Sequence, residues 1–213
     1  MILNKGLFLT FEGIDGSGKT MQLEMLTEDL RKANLKYLIL REPGGTSISE
    51  QIRKVLLDRV NQEMIPETEL LLFAAARAQL VQEVVKPALA AKSIVISDRF
   101  YDSTTAYQGF GRDMDVHFIQ MLNTFATQGL QPDFTFYFDL SVETAIERLG
   151  KRTEKNDRID LESKKFMEKT RQGYLSIAQK NPERIKVIDA ERTPEEIFQD
   201  LKMELKQVID LGG

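Results

Sequence analysis

Eight residues near the amino terminus, Gly13-Ile14-Asp15-Gly16-Ser17-Gly18-Lys19-Thr20, complete the pattern G-x-x-x-x-G-K-[ST] directly after an apolar run. That spacing is a phosphate cradle. Its glycines let successive backbone N–H groups turn toward phosphate oxygens, Lys19 adds a mobile positive charge, and Thr20 offers a hydroxyl to magnesium. The chemistry implied is binding of ATP or GTP with Mg2+; the use made of the phosphates depends on other residues.

Four further groups carry suitable chemistry. Arg41-Glu42-Pro43-Gly44-Gly45-Thr46 is a tight loop that presents a charged pair, and Arg53 follows on the next helical segment, either toward a second phosphate or toward solvent. Ser97-Asp98-Arg99 closes another apolar run, where Asp98 can orient magnesium through water and Arg99 can clamp phosphoryl oxygens, unless the two form only a structural ion pair. Phe73 and Arg77 stand four residues apart on one helix face, a spacing that suits stacking on a base and reading its edge as well as it suits a core position. Between 102 and 109 the chain offers hydroxyls, a phenol and an amide, including Ser103, Thr104, Tyr107 and Gln108; a polar helix start is the plainer account.

Apolar runs at 7–11, 37–40, 94–96, 134–138 and 185–188 predict five strands, separated by helical patterns that include 22–33, 49–58, 66–91 and 116–128. Strands alternating with helices predict an α/β fold with a parallel sheet. Ligands of such sheets sit beyond the carboxyl ends of the strands, and each group above falls just after a strand or on the helix that follows. The charged segment 151–160 reads as a lid or as a solvated face.

The 213 residues suffice for one domain, taken as 1–213 with a lid at about 150–160, and no repeat or linker divides them. With 29 basic and 33 acidic residues the formal charge is −4, so no overall basic field would gather nucleic acid or an anionic membrane. The absence of cysteine excludes disulfides and thiol catalysis, and the single His117 excludes a multi-histidine metal site. Residues 1–5 lack a signal-peptide layout, and the apolar run at 70–76 is too short to span a bilayer, so the expectation is a cytoplasmic protein.

Taken together, Phe11-Glu12-Gly13 through Thr20, Arg41-Glu42-Pro43-Gly44-Gly45-Thr46, Phe73 with Arg77, Asp98-Arg99-Phe100 leading into Ser103-Thr104-Thr105-Ala106-Tyr107-Gln108-Gly109, and Asp157-Arg158-Ile159-Asp160 resemble the thymidylate kinases, P-loop nucleoside monophosphate kinases. The match covers most of the chain. The resemblance implies a three-layer P-loop fold with a five-stranded parallel sheet, transfer of the γ-phosphoryl of ATP to dTMP with Mg2+, and a homodimer. It assigns Phe73 to stacking on thymine and Arg77, Ser103, Thr104 and Gln108 to the base's polar surroundings. Tyr107 would crowd the sugar 2′ position, Asp15 would meet the 3′-hydroxyl, and Glu42, Arg53 and Arg99 would surround the acceptor phosphate.

One branch of that family carries a cradle arginine that reaches the transferred phosphoryl; here the variable cradle positions are Ile14, Asp15, Gly16 and Ser17. The resemblance is to the other branch, whose lid supplies that charge, with Arg152 and Arg158 as candidates. Met21 and Ala76 replace residues that are often polar in the family. The acceptor is a phosphate oxygen, largely anionic near neutral pH because its second pKa is about 6, so no general base is required. Catalysis reduces to alignment and charge stabilisation by Lys19, Arg99 and a lid arginine. A monophosphate kinase for another base and a nucleotide-dependent switch are the rival readings. The switch would normally carry N-K-x-D, whereas Asn4-Lys5-Gly6-Leu7 lacks the Asp.

Overall fold

A computed structural model describes residues 5–151, 157–160, 162–206 and 209. All five expected strands form: β1 (Leu7–Glu12), β2 (Tyr37–Arg41), β3 (Ile94–Asp98), β4 (Phe134–Asp139) and β5 (Ile185–Asp189). They pair in parallel throughout, in the order β2-β3-β1-β4-β5. β1 lies at the centre and is buried along its whole length, which explains why its sequence is apolar on both faces.

Alternate residues of the strands feed two cores, as the period-2 geometry of a strand requires. Leu9, Phe11, Ile96 and Phe136 pack with Leu26 and Leu30 of α1 (Lys19–Lys32) and with Phe198 and Leu201 of α9 (Pro194–Leu205). Phe8, Leu40 and Val95 pack with Leu80, Val81 and Val85 on the other face. The result is helix, sheet and helix in three layers. Among the described residues no helix is long and apolar enough to cross a membrane.

Two helical paths carry wide, π-type turns. The pattern over 66–91 resolves into α3 (Pro66–Leu80), a π turn (Val81–Val85) and α4 (Lys86–Ala90), with the Lys86 N–H bonded back to the Val81 carbonyl. Pro87 explains the break, because its ring crowds the carbonyl four residues earlier and it has no N–H to give. After α5 (Tyr101–Thr104), residues Thr105–Gly111 form the second such turn, closed by Arg112 N–H to Tyr107 O at 2.9 Å. The remaining helices are α2 (Ser47–Leu57), α6 (Val116–Thr127), α7 (Val142–Gly150) and α8 (Lys164–Lys180). Arg152 lies outside the described residues.

Candidate functional site

The cradle links β1 to α1 through backbone shapes that only glycine adopts readily. Gly18 has φ +86°, and Gly13, at φ +146°, also lies so close to β4 that an added Cβ would stand 2.7 Å from the Phe138 carbonyl. No side chain caps α1 and no acidic residue occupies its first turn, so its amino-terminal N–H groups and dipole face the cradle without competition. Lys19 Nζ donates to the carbonyls of Gly13 (2.8 Å) and Ile14 (3.0 Å) and to Ser17 Oγ (3.2 Å). All three acceptors are neutral, so the ammonium charge remains available to an anion.

Burial, with Arg99 acting in the same direction, pushes Lys19 down to about 8. Phosphate binding requires the charged form, and kcat/KM reports the free enzyme. We therefore expect kcat/KM for the triphosphate to fall as pH rises through about 8, while kcat holds to higher pH because bound phosphate restores the lysine's proton affinity. A flat kcat/KM between pH 7 and 9.5 would contradict this.

Two clefts open at the carboxyl edge of the sheet. The cradle cleft, of about 360 Å³, is lined by Asp15, Gly16, Gly18, Lys19 and Thr20 together with Met21, Glu24, Asp98, Arg99 and Arg148. The adjoining cleft, of about 170 Å³, is lined by Asp15, Glu42, Arg53, Phe73, Arg77, Arg99, Ser103, Thr104, Tyr107 and Gln108, with Asp98, Asp157 and Ile159 among the rest. Every residue singled out in the sequence for an acceptor nucleotide thus borders one cavity. Asp15, Asp98 and Arg99 border both.

Arg99 joins the two spaces. Its φ of +70° is costly for a residue with a Cβ, and strain of this kind persists where surrounding contacts over-determine the conformation. Those contacts are Asp15 Oδ1 (2.8 Å), the Gly13 carbonyl (3.0 Å), Ser103 Oγ (3.2 Å) and Tyr174 Oη (3.3 Å), and the guanidinium lies 5.0 Å from the centre of the Tyr107 ring. Asp98 differs: its Oδ1 is buried with no hydrogen-bond partner among the described residues. Asp98, a residue of both clefts with an unsatisfied hard oxygen, and Thr20, a residue of the cradle cleft, fit the donor chemistry of Mg2+.

Other side chains are committed differently from what the sequence suggests. Arg77 is 1% exposed and donates to Glu42 Oε2 (2.7 Å), Asn123 Oδ1 (3.0 Å) and the Phe100 carbonyl (3.2 Å). Gln108 Nε2 donates to Glu69 Oε1 (2.8 Å), and Arg53 to the Pro43 carbonyl (2.9 Å). Arg158, a lid candidate for the transferred phosphoryl, borders neither cleft; it is buried, bonded to Glu69 and to the Leu56 carbonyl (2.8 Å). Of the cradle residues, Ile14 turns into the core.

Glu12, Tyr174, Glu69 and Arg148 are site residues to which the sequence reading assigns no role. Glu12 ends β1 fully buried: Oε1 accepts the Phe100 N–H (2.7 Å), and Oε2 accepts from Ser103 Oγ (2.5 Å) and Tyr174 Oη (2.8 Å). Burial, then the nearby Asp102, pushes it up to about 7. A carboxylate closing an apolar strand was a readable signal. So was Glu69, which shares the i, i+4, i+8 face of α3 with Phe73 and Arg77.

A parallel sheet with a glycine cradle after its first strand and two adjoining clefts defines a P-loop nucleotide-binding protein of the α/β class. A family model described as thymidylate kinase matches residues 11–201. The chain is 45% identical to a thymidylate kinase of Kosmotoga olearia, over 93% of this chain and 94% of that one. It is 50% identical to one of Desulforudis audaxviator, over 88% and 84%. A solved thymidylate kinase from Ehrlichia chaffeensis superposes with a TM-score of 0.77 at 35% identity, covering 95% of this chain and 99% of that one. The chain belongs to the thymidylate kinase family.

Proposed function

We infer that the chain phosphorylates dTMP to dTDP with the γ-phosphoryl group of ATP. The observation that carries this reading is the sharing of Asp15, Asp98 and Arg99 between the cradle cleft and the cleft of the acceptor residues. Donor and acceptor phosphates brought to that boundary repel each other, and holding them in line while spreading the charge of the moving phosphoryl is the catalytic task. Lys19 and Arg99 supply that charge on the protein side. Arg158 being committed to Glu69, the lid's charge is assigned to Arg152. Thr20 and Asp98 would hold Mg2+, which when bound neutralises charge on the donor phosphates.

In the acceptor cleft Phe73 stacks on thymine, and Arg77, Ser103, Thr104 and Gln108 surround its polar edge. Asp15 and Tyr107 meet the sugar, while Glu42, Arg53 and Arg99 meet the phosphate. ADP release with ATP, Mg2+ and a panel of nucleoside monophosphates tests the whole reading: dTMP should be preferred, and equal use of TMP would refute the role of Tyr107. Base stacking contributes roughly 1–3 kcal/mol, so Phe73→Ala should raise the KM for dTMP about tenfold or more. An unchanged KM removes Phe73 from the base site.

The chain works as one domain with the lid at about 150–160, in the cytoplasm, as a homodimer. Phe118, Met121 and Phe125 form an exposed stripe on α6, Phe125 being 80% exposed; α3, which packs against both α6 and α2, adds exposed Leu71, and α2 adds exposed Ile48 and Val55. Adjacent helices with such a face fit an isologous two-fold interface. Sedimentation should give twice the 24.4 kDa chain mass, and Phe125→Glu should give the single-chain mass. A wild-type monomer at micromolar concentration rules the dimer out.

A further inference from the structure

One buried carboxylate stands behind the acceptor cleft and touches both its wall and the lid. Glu69, on α3, has a side chain 1% exposed. Its Oε1 accepts from Gln108 Nε2 (2.8 Å) and Arg112 Nε (3.2 Å); its Oε2 accepts from Arg112 Nη2 (3.0 Å) and Arg158 Nη2 (2.5 Å). Four donors occupy about all the acceptor sites an ionised carboxylate has. Arg112 also pairs with Glu162, so two guanidinium groups face two carboxylates and the cluster is balanced without a ligand.

The donors come from separate parts of the chain. Gln108 lies on the wide turn that lines the cleft. Arg158 lies near the carboxyl end of the lid segment, and its neighbours Asp157 and Ile159 line the same cleft. Arg158 also donates from Nε to the Leu56 carbonyl (2.8 Å) and from its backbone to the Leu57 carbonyl (3.1 Å), filling open acceptors at the end of α2. Glu69 itself does not line either cleft. Because a carboxylate only accepts, it forces the Gln108 amide to present its nitrogen inward, which leaves the Gln108 oxygen for a cleft ligand.

We propose that Glu69 is a positioning residue that couples occupancy of the acceptor cleft to the seating of the 157–160 segment, by holding Gln108 and Arg158 on one carboxylate. The proposal rests on the reading of that cleft as the dTMP site; failure of that reading would show in the wild-type monophosphate panel before any variant is made. A ligand that draws Gln108 toward itself alters the acceptor that also holds Arg158, and release of Arg158 loosens the amide in return, since coupling between sites is reciprocal.

The test is a double-mutant cycle on kcat/KM for the monophosphate preferred by the wild type, using Gln108→Leu, Arg158→Gln and the double variant, repeated in a Glu69→Gln background. With Glu69 present, the double variant should lose at least fivefold less than the product of the two single losses. In the Glu69→Gln background the losses should multiply simply. Glu69→Gln alone should lower kcat/KM about tenfold or more per folded molecule and raise acceptor-independent ATP hydrolysis relative to transfer. Independent losses with Glu69 intact overturn the proposal, as does a Glu69→Gln protein that melts lower yet keeps its kcat/KM and transfer-to-hydrolysis ratio. If Glu69→Gln does not fold, the cycle with Glu69 intact still decides.

Discussion

Arg99→Ala lowers single-turnover phosphoryl transfer by about a thousandfold at saturating ATP and dTMP, with the fold intact. The magnitude follows from the place of this guanidinium. Among the described residues it is the one cationic side chain that borders both clefts, and an arginine that stabilises a moving phosphoryl is worth about 10³ or more in rate. Stability should change little by comparison. Alanine also carries a Cβ, so it meets the same left-handed backbone cost at φ +70°, and the side-chain partners left behind, Asp15, Ser103 and Tyr174, are within reach of water or of one another. Arg99→Lys separates charge from geometry. An ammonium cannot span Asp15, the Gly13 carbonyl and a phosphoryl oxygen together as the planar fork can, so lysine should recover less than a tenth of the loss. A single-turnover rate within tenfold of wild type in Arg99→Ala would remove Arg99 from the reacting centre.

The parts of this site that are legible in the sequence are those whose meaning is local. The cradle is a contiguous pattern. The groups at 41–46, 73–77, 98–99 and 103–108 are each ambiguous alone; it is their combined resemblance to the thymidylate kinases, with the rule that ligands sit at the carboxyl edge of a parallel sheet, that assigns them to one acceptor site. The resemblance sets Asp15, Glu42 and Gln108, far apart in the chain, around one acceptor, and the structure has all three bordering one cavity. Sequence spacing could not show which polar groups would spend their hydrogen bonds on each other. Arg77 reaches Glu42 across 35 positions and Glu12 reaches Tyr174 across 162, pairings that exist only once β1, β2, α3 and α8 are assembled. The lid arginine illustrates the same limit. Arg158 lies in a charged segment that reads as a lid or as a solvated face, yet it is buried because Glu69 and the end of α2 supply acceptors that no local pattern reveals. The wide turn before Pro87 was missed for a different reason, since a helical hydrophobic period survives a single expanded turn.

The second large effect is on stability. Arg77→Ala should destabilise the fold by about 3–5 kcal/mol, because breaking a buried ion pair strands the other charge. Glu42 would be left at 3% side-chain exposure, with Oε1 already lacking a partner and Oε2 losing its bond at 2.7 Å, while Asn123 Oδ1 and the Phe100 carbonyl also lose a donor. The loss must depend on pH. Burial already raises the Glu42 carboxyl and Arg77 pulls it back, so removing Arg77 raises it further. A carboxyl whose folded pKa lies above its unfolded value of 4.5 lets the folded state hold a proton that the unfolded chain has released. Stability therefore declines as pH rises from that value through the folded one. Urea unfolding of Arg77→Ala should accordingly show a larger deficit at pH 8 than at pH 5. Arg77→Met combined with Glu42→Leu, which removes both charges, should restore most of the stability and flatten the pH dependence, while leaving dTMP binding poor. An Arg77→Ala protein with the same deficit at both pH values would mean that lost packing, and not the stranded carboxylate, sets the cost.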